Sequence, residues 1–139
     1  MIHNKVSKIS DMINDIGRIK LQPLLNQEAN VTLQKVKDRH GKYPNDVDWA
    51  KLQPETINNK KSGDTPLLET GELQGSYQKS VQNNAYEVGS NNDKAVWMEF
   101  GTVDIPARPV LQPENNLTEA RMNIALEKFL NAKLSQIWQ

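Results

Sequence analysis

Apolar side chains in the first part of the chain follow a helical repeat. They recur at steps of three and four residues, at Val6, Ile9, Ile13 and Ile16. This spacing places them on one face of an amphipathic helix. Gly17 weakens a helix, and Pro23 cannot lie inside one because it lacks an N–H and clashes with the preceding turn. We therefore expect this helix to break before Pro23.

A second helix is predicted to open with Pro23, because proline suits the first helical turn. Its apolar stripe consists of Leu25, Ala29, Leu33 and Val36. Gly41 follows a basic pair and is typical of a helix stop. The next segment, 42–66, is rich in loop-forming residues, with one short helical turn expected around Trp49 and Leu52. Residues 58–64 have no apolar side chain to bury, so we expect them to be the most mobile internal segment.

The centre of the chain carries strand patterns. Polar and apolar residues alternate over 77–81 and 86–88, on either side of the turn-forming pair Asn83–Asn84, which predicts an antiparallel hairpin. We expect the sheet to extend over about 73–100. Periodicity cannot separate strand from buried helix at 95–100, because the segment is short and apolar.

Three prolines within eight residues predict a stiff arm after the sheet. Pro106, Pro109 and Pro113 fix φ and keep the residues before them extended. Apolar residues from Leu117 to Ile137 then form a broad face on a closing helix, wide enough for two packing partners.

The predicted fold is one α+β domain over residues 1–139. It has N-terminal helices, a small antiparallel sheet, a proline-rich arm and a C-terminal helix packed on the sheet. Its segments are helical over 1–41, loop-rich over 42–66, sheet and arm over 67–113, and C-terminal helix over 114–139. We expect Trp49 and Trp97 to lie in or against the core, and Trp138 to be more exposed or in a subunit contact.

Composition narrows the classes of function. Lys plus Arg and Asp plus Glu both total 17, so the net charge is +0 and gives no general attraction to nucleic acid. No apolar run approaches the roughly 18–20 residues of a membrane-spanning helix, and the first residues lack a signal-peptide pattern. Cysteine is absent, which excludes disulfides and thiol chemistry. We expect synthesis in a bacterial cytoplasm without oxidative folding and without a membrane partner.

No pattern in the chain specifies catalysis or metal binding. His3 and His40 lack metal-ligand spacing, and residues 45–48 lack the Gly and Glu of a calcium loop. Ser76 is not in a GxSxG elbow, and the carboxylates of Glu99 and Asp104 have a spacing common by chance. We therefore assign no catalytic, cofactor-binding or metal-binding residue and expect no enzyme activity, cofactor or small-molecule substrate.

Basic residues leave nucleic-acid binding open as a function of a different class. Lys60 and Lys61 are adjacent, and the N-terminal helix carries further basic residues, which acidic neighbours offset. A nucleic-acid-binding accessory protein that uses the Lys60–Lys61 loop is this alternative.

Three stretches, in this order, resemble the virion morphogenesis proteins of Mu-like and P2-like phages. The first resembles "W-x-x-L-x-P-x-T-x-x-x-K" and includes Trp49, Leu52 and Thr56. The second resembles "L-L-x-T-G-x-L-x-x-S", also found in related tail components of long-tailed phages, and includes Thr70, Gly71, Leu73 and Ser76. The third resembles "E-x-G-T" followed by "I-P-x-R-P-F-L", with Val110 in place of the aromatic residue, and includes Glu99, Gly101, Thr102, Ile105, Pro106, Arg108, Pro109 and Leu111.

The resemblance implies a structural assembly protein of a tailed phage or prophage, located at the neck or tail of the virion. It would form a ring of identical copies, expected to number six, in head–tail joining or tail completion. Its partners would be neighbouring neck and tail proteins, with DNA possible in the ring lumen. A tail terminator or another minor tail subunit is the alternative within this class.

The motif residues are expected to have structural roles. Thr70 and Gly71 would form a cap or turn, Leu73 and Ser76 would start the sheet, and Gly101 and Thr102 would form a tight reversal. The arm residues would contact a neighbouring subunit: Ile105, Pro106, Arg108, Pro109 and Leu111. Arg108 would either make a forked pair with a carboxylate, such as Glu99 or one on a neighbouring subunit, or be solvated.

Overall fold

The computed structural model describes residues 11–138, with side chains described through Ile137. The expectations for Val6, Ile9, His3 and the side chain of Trp138 lie outside these residues. Residues 11–17 are helical, and seven elements follow: α1 (Gln22–Asp38), α2 (Pro54–Asn59), α3 (Glu72–Gly75), β1 (Tyr77–Gln82), β2 (Ala85–Ser90), α4 (Asp93–Phe100) and α5 (Leu111–Trp138). The predicted α+β class is confirmed.

The helix boundaries in the first part of the chain follow the predicted signals. The first helix ends at Gly17, and Pro23 lies in the opening turn of α1. Gly41, with φ +92, follows the end of α1, and its N–H donates to the carbonyl of Pro66 at 2.8 Å. A Cβ at this position would also meet the side chain of Leu68 at 2.7 Å, so glycine is required there.

The predicted hairpin is confirmed. Strands β1 and β2 pair antiparallel from Tyr77 opposite Ser90 to Gln82 opposite Ala85. Asn83 and Asn84 both have positive φ, as a two-residue type I′ turn requires.

The sheet is shorter than we expected over 73–100. Leu73 lies on α3, so it does not start a strand, and residues 95–100 are helical. The side chain of Asn92 accepts a hydrogen bond from the backbone N–H of Lys94, which caps α4 and favours helix over strand.

The hydrophobic core forms where α1 covers the hairpin. Its buried members are Val36, Trp49, Leu73, Tyr77, Ala95 and Val110. Helix α5 packs mainly against α1. This packing differs from the expected position of the C-terminal helix on the sheet, because α1 already covers the sheet.

The 42–66 segment differs from the prediction in the position of its short helix. The short helix α2 begins at Pro54, and Trp49 precedes it in extended, buried chain. Proline suits the first helical turn and holds Gln53 extended, which explains the shift. Two hydrogen bonds attach residues 58–64 to the segment that follows, because Lys60 Nζ donates to Thr65 O at 2.6 Å and Ser62 Oγ to Leu68 O at 2.9 Å. The expected mobility of this segment stays a prediction.

A buried ionic network joins α1 to α5. Arg39 Nη1 and Nη2 donate to the two carboxylate oxygens of Asp46 at 2.8 and 2.6 Å. Arg39 Nε and Nη2 also donate to Glu114 Oε1 at 3.2 and 3.0 Å. The guanidinium lowers the pKa of Asp46 through these hydrogen bonds. Arg39 and Glu114 are almost completely buried, so their charges depend on each other for compensation.

A second arginine extends this network to the sheet. Arg121 Nη1 lies 3.3 Å from Glu114 Oε2, and its Nη2 donates to Thr32 Oγ1 at 2.9 Å. Arg121 Nε faces Glu28 Oε2 at 3.7 Å, an ion pair without a hydrogen bond. Thr32 Oγ1 in turn shares a hydrogen bond with the hydroxyl of Tyr86 at 3.0 Å. Polar contacts therefore connect α5, α1 and β2.

We predict that Glu114→Gln lowers the free energy of unfolding by about 3 kcal/mol, because it removes one charge from a buried pair. Glu119→Gln makes the same change on the exposed side of α5 and should alter the free energy of unfolding by less than about 0.5 kcal/mol. Urea denaturation of both variants measures the difference. Equal effects would show that the network does not hold α5.

We also predict that stability falls as the pH drops below the ordinary pKa of histidine, 6.5. Burial lowers the pKa of His40, whose Nδ1–H donates to the carbonyl of Val36 at 3.0 Å. The unfolded chain therefore binds a proton that the folded chain resists, so stability is complete above pH 6.5 and decreases below it. Urea denaturation from pH 8 to 5 should show this slope in the wild type and not in His40→Gln. The lowered pKa of Asp46 affects stability near and below its usual value of 3.8, which lies outside this pH window.

Candidate functional site

Residues from the three motif stretches line one open groove of about 560 Å³. The first stretch contributes the segment from Ala50 to Gln53 and Thr56, and the second contributes the segment from Leu67 to Leu73. The arm contributes Ile105, Pro106 and Arg108. The sequence-predicted residues that meet in this groove are Leu52, Thr56, Thr70, Gly71, Leu73, Ile105, Pro106 and Arg108.

Arg108 holds the arm to the first stretch. Its side chain is 6% exposed, and its Nε and Nη2 donate to the carbonyl of Ala50 at 2.9 and 2.8 Å. Its backbone N–H donates to the carbonyl of Met98 at 2.6 Å. The expected pair with Glu99 and the solvated state are both wrong, whereas a forked pair with a carboxylate on a neighbouring subunit stays a prediction. The side chain of Arg108 therefore connects the arm to the first stretch within one subunit, and the expected subunit contact of Arg108 stays a prediction.

Glu99 has a different role from the expected pairing. Its Oε1 accepts hydrogen bonds from the backbone N–H groups of Val110 and Leu111, and its Oε2 accepts one from Gln112, each at 3.0 Å. These donors belong to the start of α5, whose first N–H groups have no partner within the helix. A carboxylate at this end also interacts favourably with the helix dipole. Glu99 therefore caps α5 from the end of α4.

The reversal at Gly101 and Thr102 is confirmed. Gly101 has φ +75, and a Cβ there would meet the backbone N of Ala107 at 2.9 Å. Thr102 N–H donates to Ile105 O at 2.8 Å, and Thr102 Oγ1 accepts from the N–H groups of Asp104 and Ile105. The arm therefore folds back across the domain.

The remaining motif residues support the elements around the groove. Trp49 is buried, and its Nε1–H donates to Pro109 O at 3.2 Å. Gly71, with φ +84, precedes α3, as expected for a turn residue. Ser76 Oγ donates to Leu73 O at 2.6 Å and contacts Ser90 Oγ at the same distance. These contacts fix the path from α3 into β1.

Leu67 is a strained member of the groove wall. It adopts φ +63, a left-handed conformation that costs a non-glycine residue roughly 1–2 kcal/mol. Such strain is found most often at functional sites, where the surrounding structure maintains it. Sequence patterns gave no signal for this conformation.

An apolar surface lies on α4 and the following turn. Val96, Trp97 and Phe100 occupy one side of α4 and are largely exposed, and Val103 in the turn is fully exposed. We call these four residues the apolar face. Trp97 is 46% exposed, so its expected place in or against the core is wrong. Ala95 and Met98 face the core, and Trp97 lies outside that stripe.

The two lysines of the nucleic-acid alternative have different surroundings. Lys60 Nζ donates one hydrogen bond to the carbonyl of Thr65, and burial lowers the pKa of this amine. Lys61 alone of this pair is exposed.

The described residues contain no group of three or more His, Cys, Asp or Glu that could hold a metal ion. None of the described helices is long and apolar enough to cross a membrane. Comparison of the chain with protein-family models, curated proteins and solved structures finds no match. The resemblance of the three motif stretches therefore remains an interpretation of the sequence.

We predict opposite outcomes for two tryptophan substitutions. Trp49→Ala should lower the free energy of unfolding by about 3–5 kcal/mol, because it empties a buried site and removes the hydrogen bond to Pro109. Trp97→Ala should lower it by less than about 1.5 kcal/mol, because the side chain is half exposed. Chemical denaturation of the two variants measures both changes in the free energy of unfolding. A cost for Trp97→Ala as large as that for Trp49→Ala would place Trp97 in the core.

Proposed function

We propose that this chain is a structural assembly protein of a tailed phage or prophage, which forms a ring in head–tail joining or tail completion. The observation that carries the proposal is the apolar face formed by Val96, Trp97, Phe100 and Val103. These side chains are exposed on a rigid helix and a tightly hydrogen-bonded turn. Exposed apolar side chains that lie together often mark protein contacts.

The position of the apolar face supports a contact between subunits. Lys94 and Met98 on the same helix line the groove, as does Asp104 in the turn, so the face and the groove share one part of the surface. Ile105 and Pro106, two of the expected contact residues, are half-buried and exposed respectively and lie beside it. A contact between different surfaces of identical subunits closes into a ring when the rotation between them permits.

Burial of the face would supply the energy for assembly. Each apolar Å² removed from water contributes roughly 25 cal/mol, and large aromatic side chains dominate the energetics of interfaces. Phe100 and Trp97 are the aromatic members of the face. The proposed copy number of six comes from the motif resemblance alone.

The assembly of the purified chain tests this proposal. We predict that the wild type forms closed oligomers as its concentration rises and that Val96→Asp remains monomeric with an unchanged melting temperature. Ile124→Asp is the matched control, because Val96 is 55% exposed and Ile124 is 57% exposed on α5. Light scattering after size exclusion, with thermal melting of the same samples, gives both quantities. A persistently monomeric wild type, or loss of assembly only in Ile124→Asp, would contradict the assigned surface.

The role in the virion needs a separate test. Deletion of the gene from the phage or prophage that carries it should leave separate heads and tails, visible by electron microscopy. Complementation with the wild type should restore joined particles, whereas complementation with Val96→Asp should not. Normal yields of joined particles after deletion would refute the role.

A further inference from the structure

The groove contains a buried positive charge that no carboxylate neutralises. Arg108 lines the groove and is 6% exposed, and its side-chain hydrogen bonds go to the carbonyls of Ala50 and Lys51. Within the described part of the chain, no carboxylate lies at ion-pair distance from this guanidinium, and its Nη1 has no hydrogen-bond partner. A buried charge without an ionic partner is costly, so this site favours an added anion.

A second cation reinforces this charge. Lys60 also lines the groove, and burial lowers the pKa of its amine. The negative charge of Glu69 raises this pKa, whereas the positive charge of Arg108 lowers it. Both cations line the same groove.

The carboxylates of the groove lie at its exposed positions. Glu69, Glu72 and Asp104 are all exposed. Glu72 is already engaged, because its Oε2 lies 3.6 Å from Lys94 Nζ and its Oε1 accepts from the Asn92 side chain. Lys51 and Lys94 also line the groove at exposed positions, so its exposed part carries charges of both signs, whereas its buried charge is that of Arg108. A single buried cation without a general positive excess around it favours one well-placed carboxylate over a polyanion such as DNA.

Apolar side chains supply the rest of the groove surface. Leu52, Leu67, Met98 and Ile105 are half-buried and line it, together with exposed Pro106. A concave surface with apolar walls and a few polar groups is typical of a ligand site. A guanidinium recognises a carboxylate with defined geometry, and apolar walls favour a ligand with apolar side chains.

We propose that this groove binds a segment of a partner protein that carries an aspartate or glutamate beside apolar side chains. The carboxylate binds the free edge of the Arg108 guanidinium near Lys60, and the apolar side chains pack on the walls. The choice of a protein as the partner rests on the proposed assembly role. The apolar face, which we assign to contacts between copies, adjoins the groove, but none of its four residues lines the groove. Peptide binding and ring formation are therefore tested with different variants and different measurements.

A peptide array tests this binding site. Heptapeptides carry Asp, Glu, Asn or Gln at the centre and random residues at the other positions, and the labelled full-length protein is the probe. We expect the bound peptides to have Asp or Glu at the centre and apolar neighbours. The best peptide should bind at least tenfold more tightly than its Asn or Gln counterpart in solution. Equal binding of the acid and amide forms would overturn the proposal, as would an array without bound peptides.

Two lysine variants locate the binding. Lys60→Gln and Lys61→Gln remove the same charge from adjacent residues, but only Lys60 lines the groove. We expect Lys60→Gln to weaken binding of the best peptide at least threefold and Lys61→Gln to leave it unchanged. Equal weakening would show that general charge, and not the groove, attracts the peptide, and would overturn the assignment.

The Nε–H resonance of Arg108 reports on the site directly by NMR and requires no substitution of this buried residue. We expect it to shift when the acidic peptide is added and to remain in place with the amide peptide. A shift on concentrating the protein alone would make a second copy of this chain the occupant, and would overturn the assignment to a different protein. Free acetate at the same concentration should shift the Arg108 Nε–H resonance less than the acidic peptide does. An equal shift would show a general anion site and would refute the peptide proposal.

Discussion

The buried guanidinium of Arg39 is the interaction on which the rest of the structure depends. It binds Asp46, seven residues later in the loop-rich segment, and Glu114 at the start of α5, so it joins the end of α1 to the start of α5. This connection fixes where α5 begins relative to α1. Because the arm must reach α5 from Gly101, its path across the domain is then determined at both ends.

The groove is a consequence of that path. Glu99 caps the start of α5, and Arg108 binds the carbonyl of Ala50, so the arm closes against the segment that contains Trp49. The contacts of Glu99, Gly101, Thr102 and Arg108 in the third motif therefore fix the path of the arm. The same folding that buries Arg108 leaves its charge without a carboxylate at ion-pair distance among residues 11–137. Stability and the proposed partner binding thus arise from the same residue.

Local signals in the sequence predicted the boundaries of α1 and the position of the hairpin turn. Pro23, Gly41 and the pair Asn83–Asn84 act through their own backbone preferences, so their effects are visible without the fold. Long-range pairing could not be predicted in this way, because Arg39 and Glu114 are 75 positions apart. The sequence contains one indication of this network, because Glu28 and Thr32 lie on the buried side of α1, where a polar residue needs a hydrogen-bond partner.

The positions of Trp97 and Arg108 required the tertiary structure. Eight residues of helix α4 are too few for periodicity to show which side faces the core. No spacing rule indicates that an arginine between prolines will bind a backbone carbonyl 58 residues earlier. The convergence of the three motif stretches on one groove has the same cause, since it depends on the path of the arm. The sequence therefore identified eight of the groove residues but not their arrangement.

The central claim is that the apolar face is the surface through which copies of this chain assemble. Hydrogen exchange of the same protein at low and high concentration measures this most directly, because it reports which amides become protected on assembly. The account predicts slower exchange over residues 96–104 at high concentration, with little change in the hairpin turn at Asn83 and Asn84. Unchanged exchange over 96–104 while the protein assembles would contradict it.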